Sequence, residues 1–132
     1  MTRTNNQETI SRTNALKKLV QTKLKTLTTN VYHEIANEGA LYPHIVFTFD
    51  RIDLDDLSRQ DYILVVDVWD RGNSTQAIDT LCDNVEKLLQ AQNLPQDTIL
   101  PTFYLMDRHY LLDEDKQIKH RQIRFQIQNY ER

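Results

Sequence analysis

Asp61-Tyr62-Ile63-Leu64-Val65-Val66-Asp67-Val68-Trp69-Asp70, then Arg71-Gly72-Asn73, then a stripe of Ile78, Leu81, Cys82, Val85, Leu88 and Leu89: this stretch decides the fold class. Its first part is apolar at successive positions in the middle, the pattern of a strand covered on both faces and therefore central in a sheet. Its last part repeats apolar residues at intervals of three and four, the pattern of a helix with one face on the core. Asn73 or Ser74 is placed to cap that helix by accepting a hydrogen bond from a free amide of its first turn. Gln76 stands three residues after Asn73, which is capping-box spacing with Asn in place of the usual Ser or Thr. Asn93-Leu94-Pro95 stops the helix. Leu81 and Leu88 both fall on the core side, so a charge at either is expected to abolish folding.

Upstream, Leu16, Leu19, Val20, Leu24 and Leu27 share one face of an amphipathic helix from about Asn14 to Thr28, with Asn14 or Thr13 as its cap. A short Val31-Tyr32 segment follows, and then a loop through Asn37 to Pro43. From His44 to Asp50, Ile45, Phe47 and Phe49 alternate with His44, Val46 and Thr48, which predicts a half-buried strand. The polar run Asp50 to Gln60 reads as the loop of a long hairpin into the central strand. Downstream, Thr102 to Asp107 and His120 to Tyr130 read as two strands joined by a polar turn at Asp113–Gln117, an antiparallel pair. In the second, Ile123, Phe125 and Ile127 alternate with Arg124, Gln126 and Gln128, so it is apolar on one side only. These elements predict an α+β fold: a mixed or antiparallel sheet of four to five strands with two amphipathic helices packed on one face.

The 132 residues contain no linker rich in Pro, Gly or Ser. The expected division is a flexible polar leader, residues 1–12, and a single α+β domain, residues 13–132. Such a length buries roughly two-thirds of the unfolded chain's surface, enough for a core without staples. One cysteine cannot close an internal disulfide, and the polar start carries no apolar secretory run, so the expectation is a protein that stays in the cytoplasm where it is made. No apolar stretch approaches the roughly 20 residues of a membrane span. The net charge of −3 opposes general attraction to a phosphate backbone. Lys17, Lys18, Lys23 and Lys25 crowd the first helix, while Asp50, Asp53, Asp55, Asp56 and Asp61 crowd the hairpin. That polarity suits a subunit whose two ends meet different neighbours; solvated faces are the alternative.

No catalytic or metal-binding constellation emerges. His33, His44, His109 and His120 lack the spacing that places two ligands on one helical face. Cys82 lies within an apolar stripe, the setting of an inert buried thiol. Asp53, Asp55 and Asp56 lack the glycine and closing Glu of a calcium loop. Glu114-Asp115-Lys116 with Asp67 could imitate a metal-dependent nuclease, but the first three fall in a predicted mobile turn. With Gly39 and Gly72 alone, no glycine-rich loop cradles phosphate, so no nucleotide cofactor is expected. Arg108-His109-Tyr110 and Lys119-His120-Arg121 mix cations with aromatic rings, the pattern of a weak single-stranded nucleic-acid surface; against an acidic average they read as ordinary strand-flanking charge.

The run Leu64-Val65-Val66-Asp67-Val68-Trp69-Asp70-Arg71, its spaced-aliphatic helix ending in Leu88-Leu89, and the closing Arg121-Gln122-Ile123-Arg124-Phe125-Gln126-Ile127 are together similar to the tail-terminator, or tail-completion, proteins of long-tailed phages and prophages. The similarity runs from about Asn14 to Tyr130. The resemblance implies a structural virion protein, not an enzyme, with no cofactor. It would cap the tail tube as a self-assembled ring, a hexamer by resemblance, and join it to the head connector. Its partners would be other copies of itself, the tail-tube protein and the head-side connector, with no membrane and no specific nucleic acid. It would reside in the virion, and in the host cytoplasm during assembly. No functional residue carries over. From the polar loops alone, Asp50, Asp53, Asp55, Asp56, Asp113, Glu114 and Asp115 are the candidate interface. The competing classes are a small phage-encoded nuclease and a monomeric protein-binding accessory module.

Overall fold

A computed structural model describes residues 11–54, 59–90, 94–95 and 98–131. The elements in order are α1 (Arg12–Leu24), β1 (Val31–His33), β2 (His44–Leu54), β3 (Arg59–Arg71), α2 (Gln76–Leu89), β4 (Ile99–Leu111) and β5 (Ile118–Glu131). The five strands form one mixed sheet in the order β1-β2-β3-β5-β4. β1 runs parallel to β2, and every other neighbouring pair is antiparallel. β3 is the third of five, the central position expected of it, but it is covered on one face only, with Ile63 and Val65 partly exposed on the other. α2 carries the chain from β3 to β4, which is parallel to β3 with β5 between them.

Alternation decides which sheet face is covered. Ile45 and Phe47 of β2, Tyr62, Leu64, Val66 and Val68 of β3, Phe103 of β4 and Ile123, Phe125 and Ile127 of β5 are buried, and all point to the same side. They form one cluster with Ala15, Leu16, Leu19, Val20 and Leu24 of α1 and Ile78, Leu81, Cys82, Val85 and Leu89 of α2. Both helices therefore lie on one face, and Val46, Thr48, Val65, Gln122, Arg124 and Gln126 occupy the other, open face.

Several predicted boundaries are corrected. The cap of α1 is Ser11, whose Oγ accepts from the Asn14 amide at 3.1 Å; Thr13 and Asn14 lie within the helix. The predicted leader, residues 1–12, falls mostly outside the described residues, and its last two belong to this cap and first turn. Thr13 is instead a tie to the sheet, its Oγ1 2.9 Å from the Tyr62 hydroxyl. α2 starts after Thr75, while Ser74 Oγ accepts from the Gln76 amide at 3.1 Å. Asn73 does not cap; its Oδ1 accepts from the Gln117 side chain at 3.4 Å. α2 ends at Leu89, ahead of the predicted Asn93-Leu94-Pro95 stop. Leu88 is only partly buried, at the margin of the core rather than beneath the helix.

Candidate interaction surfaces

The hairpin of β2 and β3 does not open into a loop at Asp50. A bulge there shifts the register, and pairing then continues through Arg51 with Ile63, Asp53 with Asp61 and Leu54 with Gln60. Asp53 and Asp61 face each other across the pair, an arrangement of like charges that costs stability unless cations intervene. Arg51 Nε lies 3.2 Å from Asp53, and Arg59 grips Asp61 through two hydrogen bonds of 2.8 and 2.7 Å. Most of the expected acidic loop is thus a charged strand pair. Asp55 and Asp56 lie outside the described residues.

The second acidic group, Asp113, Glu114 and Asp115, stands in the β4–β5 turn. Asp113 Oδ1 accepts from the Asp115 amide at 3.0 Å and Asp115 Oδ1 from the Gln117 amide at 2.9 Å. Arg71, at the end of β3, reaches Asp115 at 3.2 Å. The Gln117 backbone amide, with Arg71 behind it, holds the Asp115 carboxyl below the usual carboxylate range. The turn predicted to be mobile is therefore braced from inside and from β3. It does not meet the hairpin group. One lies at the Arg71 end of β3 and the other at its Arg59 end, and thirteen extended residues set them roughly 40 Å apart.

Between these ends, the open face carries a row that the sequence did not reveal. Register pairs His44 with Trp69, Trp69 with His120, and His120 with Leu111. Trp69 and His120 stack with centroids 3.7 Å apart. Asp67 Oδ1 is 2.7 Å from His120 Nε2 and accepts from Gln122 Nε2 at 3.1 Å. The carboxylate that a nuclease would need is thus committed to side chains of its own face. At the β2 end of the row, Ile35, Tyr42, His44, Val46 and Trp69 line a groove of about 430 Å³ with Glu34 at its rim. Burial pushes the His44 imidazole below its ordinary pKa.

At the opposite edge, β4 presents Tyr104, Met106 and Tyr110 to solvent, with Leu112 just beyond its end. Arg108 ties this strand to α2 through Glu86 at 2.7 Å and Asp83 at 2.6 Å. Arg121, buried on the neighbouring strand, lies 3.9 Å from the Tyr110 ring centroid and donates to Asp79 at 3.1 Å. Cys82 is buried beneath α2, where desolvation pushes its thiol up to about 12, far from a thiolate at neutral pH. Among the described residues, no group of three His, Cys, Asp or Glu side chains is gathered to hold a metal ion, and no helix is long and apolar enough to cross a membrane.

A two-helix layer on a five-stranded mixed sheet, with charged groups at both strand ends and an open face, is matched in sequence over residues 12–128 by the family described as "Tail completion protein gp17". The chain belongs to this family. Tail-completion proteins are structural components of phage virions, so the expectation drawn from the Leu64–Arg71 strand and its following helix holds. The same fold occurs in a chain from the "Virion of native gene transfer agent (GTA) particle", with a TM-score of 0.74 over 92% of this chain and 99% of that one. At 12% identity, that likeness concerns the fold of this tail-completion family member, not its individual contacts. No curated protein sequence matches the chain.

Proposed function

We propose that this chain closes as a ring on the end of the tail tube and joins it to the head-side connector. The observation that carries this reading is the separation of the two acidic ends along one continuous sheet. A ring seated between two different partners needs each subunit to present distinct surfaces at opposite ends, and β3 runs from Asp61 at one to Arg71, braced by Asp115, at the other. Asp50, Asp53, Asp55 and Asp56 supply contacts at the hairpin end; Asp113, Glu114 and Asp115 supply them at the turn. The chain works through these surfaces and transforms no substrate, in keeping with a buried inert thiol and an Asp67 committed to its neighbours. Copies are made in the host cytoplasm, and six copies of the chain form the ring.

Reversal of Asp53, Asp55 and Asp56 to lysine tests the hairpin end. Asp53 is exposed, and a surface substitution shifts stability by about half a kcal/mol, so the melt should stay close to that of the parent chain. Complementation of a phage lacking the gene should nevertheless fail, with electron microscopy showing overlong or headless tails. A stably folded triple variant that yields infectious particles with tails of normal length refutes a role for this end.

A further inference from the structure

Two apolar surfaces are left open at opposite sides of the sheet. On the β4 side, Leu112 is 100% exposed, within a corner formed by Tyr110, Leu111, Ile118, Lys116 and Lys119. On the β1 side lies the groove of Ile35, Tyr42, His44 and Trp69, with Ile35 itself 78% exposed. Single exposed apolar residues are ordinary on protein surfaces. Their placement along the sheet is not.

The register row His44, Trp69, His120, Leu111 crosses the four strands from groove to corner, and Leu112 is the next residue. Groove and knob therefore sit at the same height along the strands but on opposite faces: the groove takes in Val46 and Asp67 of the open face, while Leu112 stands with Tyr110, Arg121 and Thr75 on the helix side. Along the row, His44 and Leu111 are three strand spacings or about 14 Å apart. A contact between unlike patches generates a filament when each copy is displaced along the axis and a ring when the rotation closes. Patches at equal height demand little axial displacement. The charges agree as well: Glu34 and Asp67 line the groove, and around Leu112 the cations Lys116, Lys119 and Arg121 outnumber Asp113.

We infer that Leu112 of one copy seats in the Ile35, Tyr42, His44 and Trp69 groove of the next, with Lys116 facing Glu34, and that repetition of this contact builds the ring. The inference rests on the ring reading above and specifies its lateral interface. The partner is a second copy of this chain. The hairpin end, and Glu114 and Asp115 at the turn, remain available for the axial partners, while Asp113 borders the lateral contact.

The test is a paired Ile35→Cys and Leu112→Cys variant, oxidised after assembly on isolated tail tubes and run on a non-reducing gel. Buried Cys82 does not compete. The expected result is a ladder of covalent oligomers ending at a closed species, while either single variant runs as a monomer. Leu112→Lys should fold with an unchanged melt and fail to form rings. Glu34→Lys should also fail, and adding Lys116→Glu should restore assembly. Rings on the tubes with no ladder, a ladder that stops at the dimer, or normal rings from Leu112→Lys would overturn this contact while leaving the ring reading in place. Absence of rings from the parent chain on tubes would overturn both.

Discussion

Val85→Asp should leave the chain unfolded, whereas Thr80→Asp on the other face of the same helix should leave it folded. Val85 is fully buried in α2 and shares the core with Leu81, Cys82 and Leu89; Thr80 is exposed. Burying a valine side chain contributes about 1.5 to 3 kcal/mol. A carboxylate in its place has no partner in that apolar setting and adds several kcal/mol of desolvation cost. The total, about 5 kcal/mol or more, is comparable to the whole stability of a typical domain, about 5 to 15 kcal/mol. Val85→Ala calibrates the site, since two lost methyl groups cost about 1.6 kcal/mol before any cavity term. At about 4 °C per kcal/mol, its melt should fall by about 6 °C or more. Leu88→Asp, at the edge of the core, should cost less than Leu81→Asp, contrary to the equal effect their spacing suggests. Far-ultraviolet circular dichroism with thermal and urea melts measures all five variants. A cooperative, parent-like melt for Val85→Asp, or equal damage from Thr80→Asp, would refute this assignment of the buried face.

Asn129 is 0% exposed on the core side of β5, and neither atom of its amide has a hydrogen-bond partner among the described residues. Asn129→Val should therefore raise stability by about 1 kcal/mol or more, because it removes an unpaired buried amide and suits a strand; a lowered urea midpoint would contradict this. His33 and His44 both have pKa values held below 6.5, by burial above all. As pH falls through 6.5, the unfolded chain takes up protons that the folded chain refuses. Stability is accordingly full above that value and declines toward the lower folded pKa values. A urea midpoint that drops between pH 7.5 and 5.5, with a smaller drop in His44→Gln, would agree; a midpoint that rises over that interval would not.

The elements that the sequence made legible are those whose environment is uniform along their length. β3 keeps Tyr62, Leu64, Val66 and Val68 on the core, α2 keeps one stripe there, and β5 alternates without interruption, so periodicity alone located them. Irregular pairing hid the rest. β1 is three residues long, too short to show a period, and its pairing with β2 depends on tertiary contact. Arg51 and Asp53 alternate with the apolar Ile52 and Leu54, but the charges on either side of this short stretch made it look like loop; cross-strand aspartates with arginine partners are compatible with a strand. The register shift between Leu105 and Asp107 in β4 breaks the alternation, so Arg108 to Leu111 resembled a flank instead of a continued strand. The candidate acidic residues were identifiable by composition. Their division between opposite ends was not, since it follows from strand order. The row from His44 to Leu111 joins four distant segments and exists only in the register.

The position of β5 between β3 and β4 also bears on how the molecule comes into being. α1, the β2–β3 hairpin and α2 leave the ribosome first and consist largely of local contacts, which form fast. β4 emerges next, at about 5 to 20 residues per second, and its neighbour in the sheet does not yet exist. Until residues 118–131 arrive, β3 and β4 hold two unpaired edges toward an empty slot, and unpaired edges are templates for association between chains. Maturation of each copy thus turns on a single late strand insertion, and the time between synthesis of β4 and arrival of β5 is the interval in which a copy can be lost to aggregation.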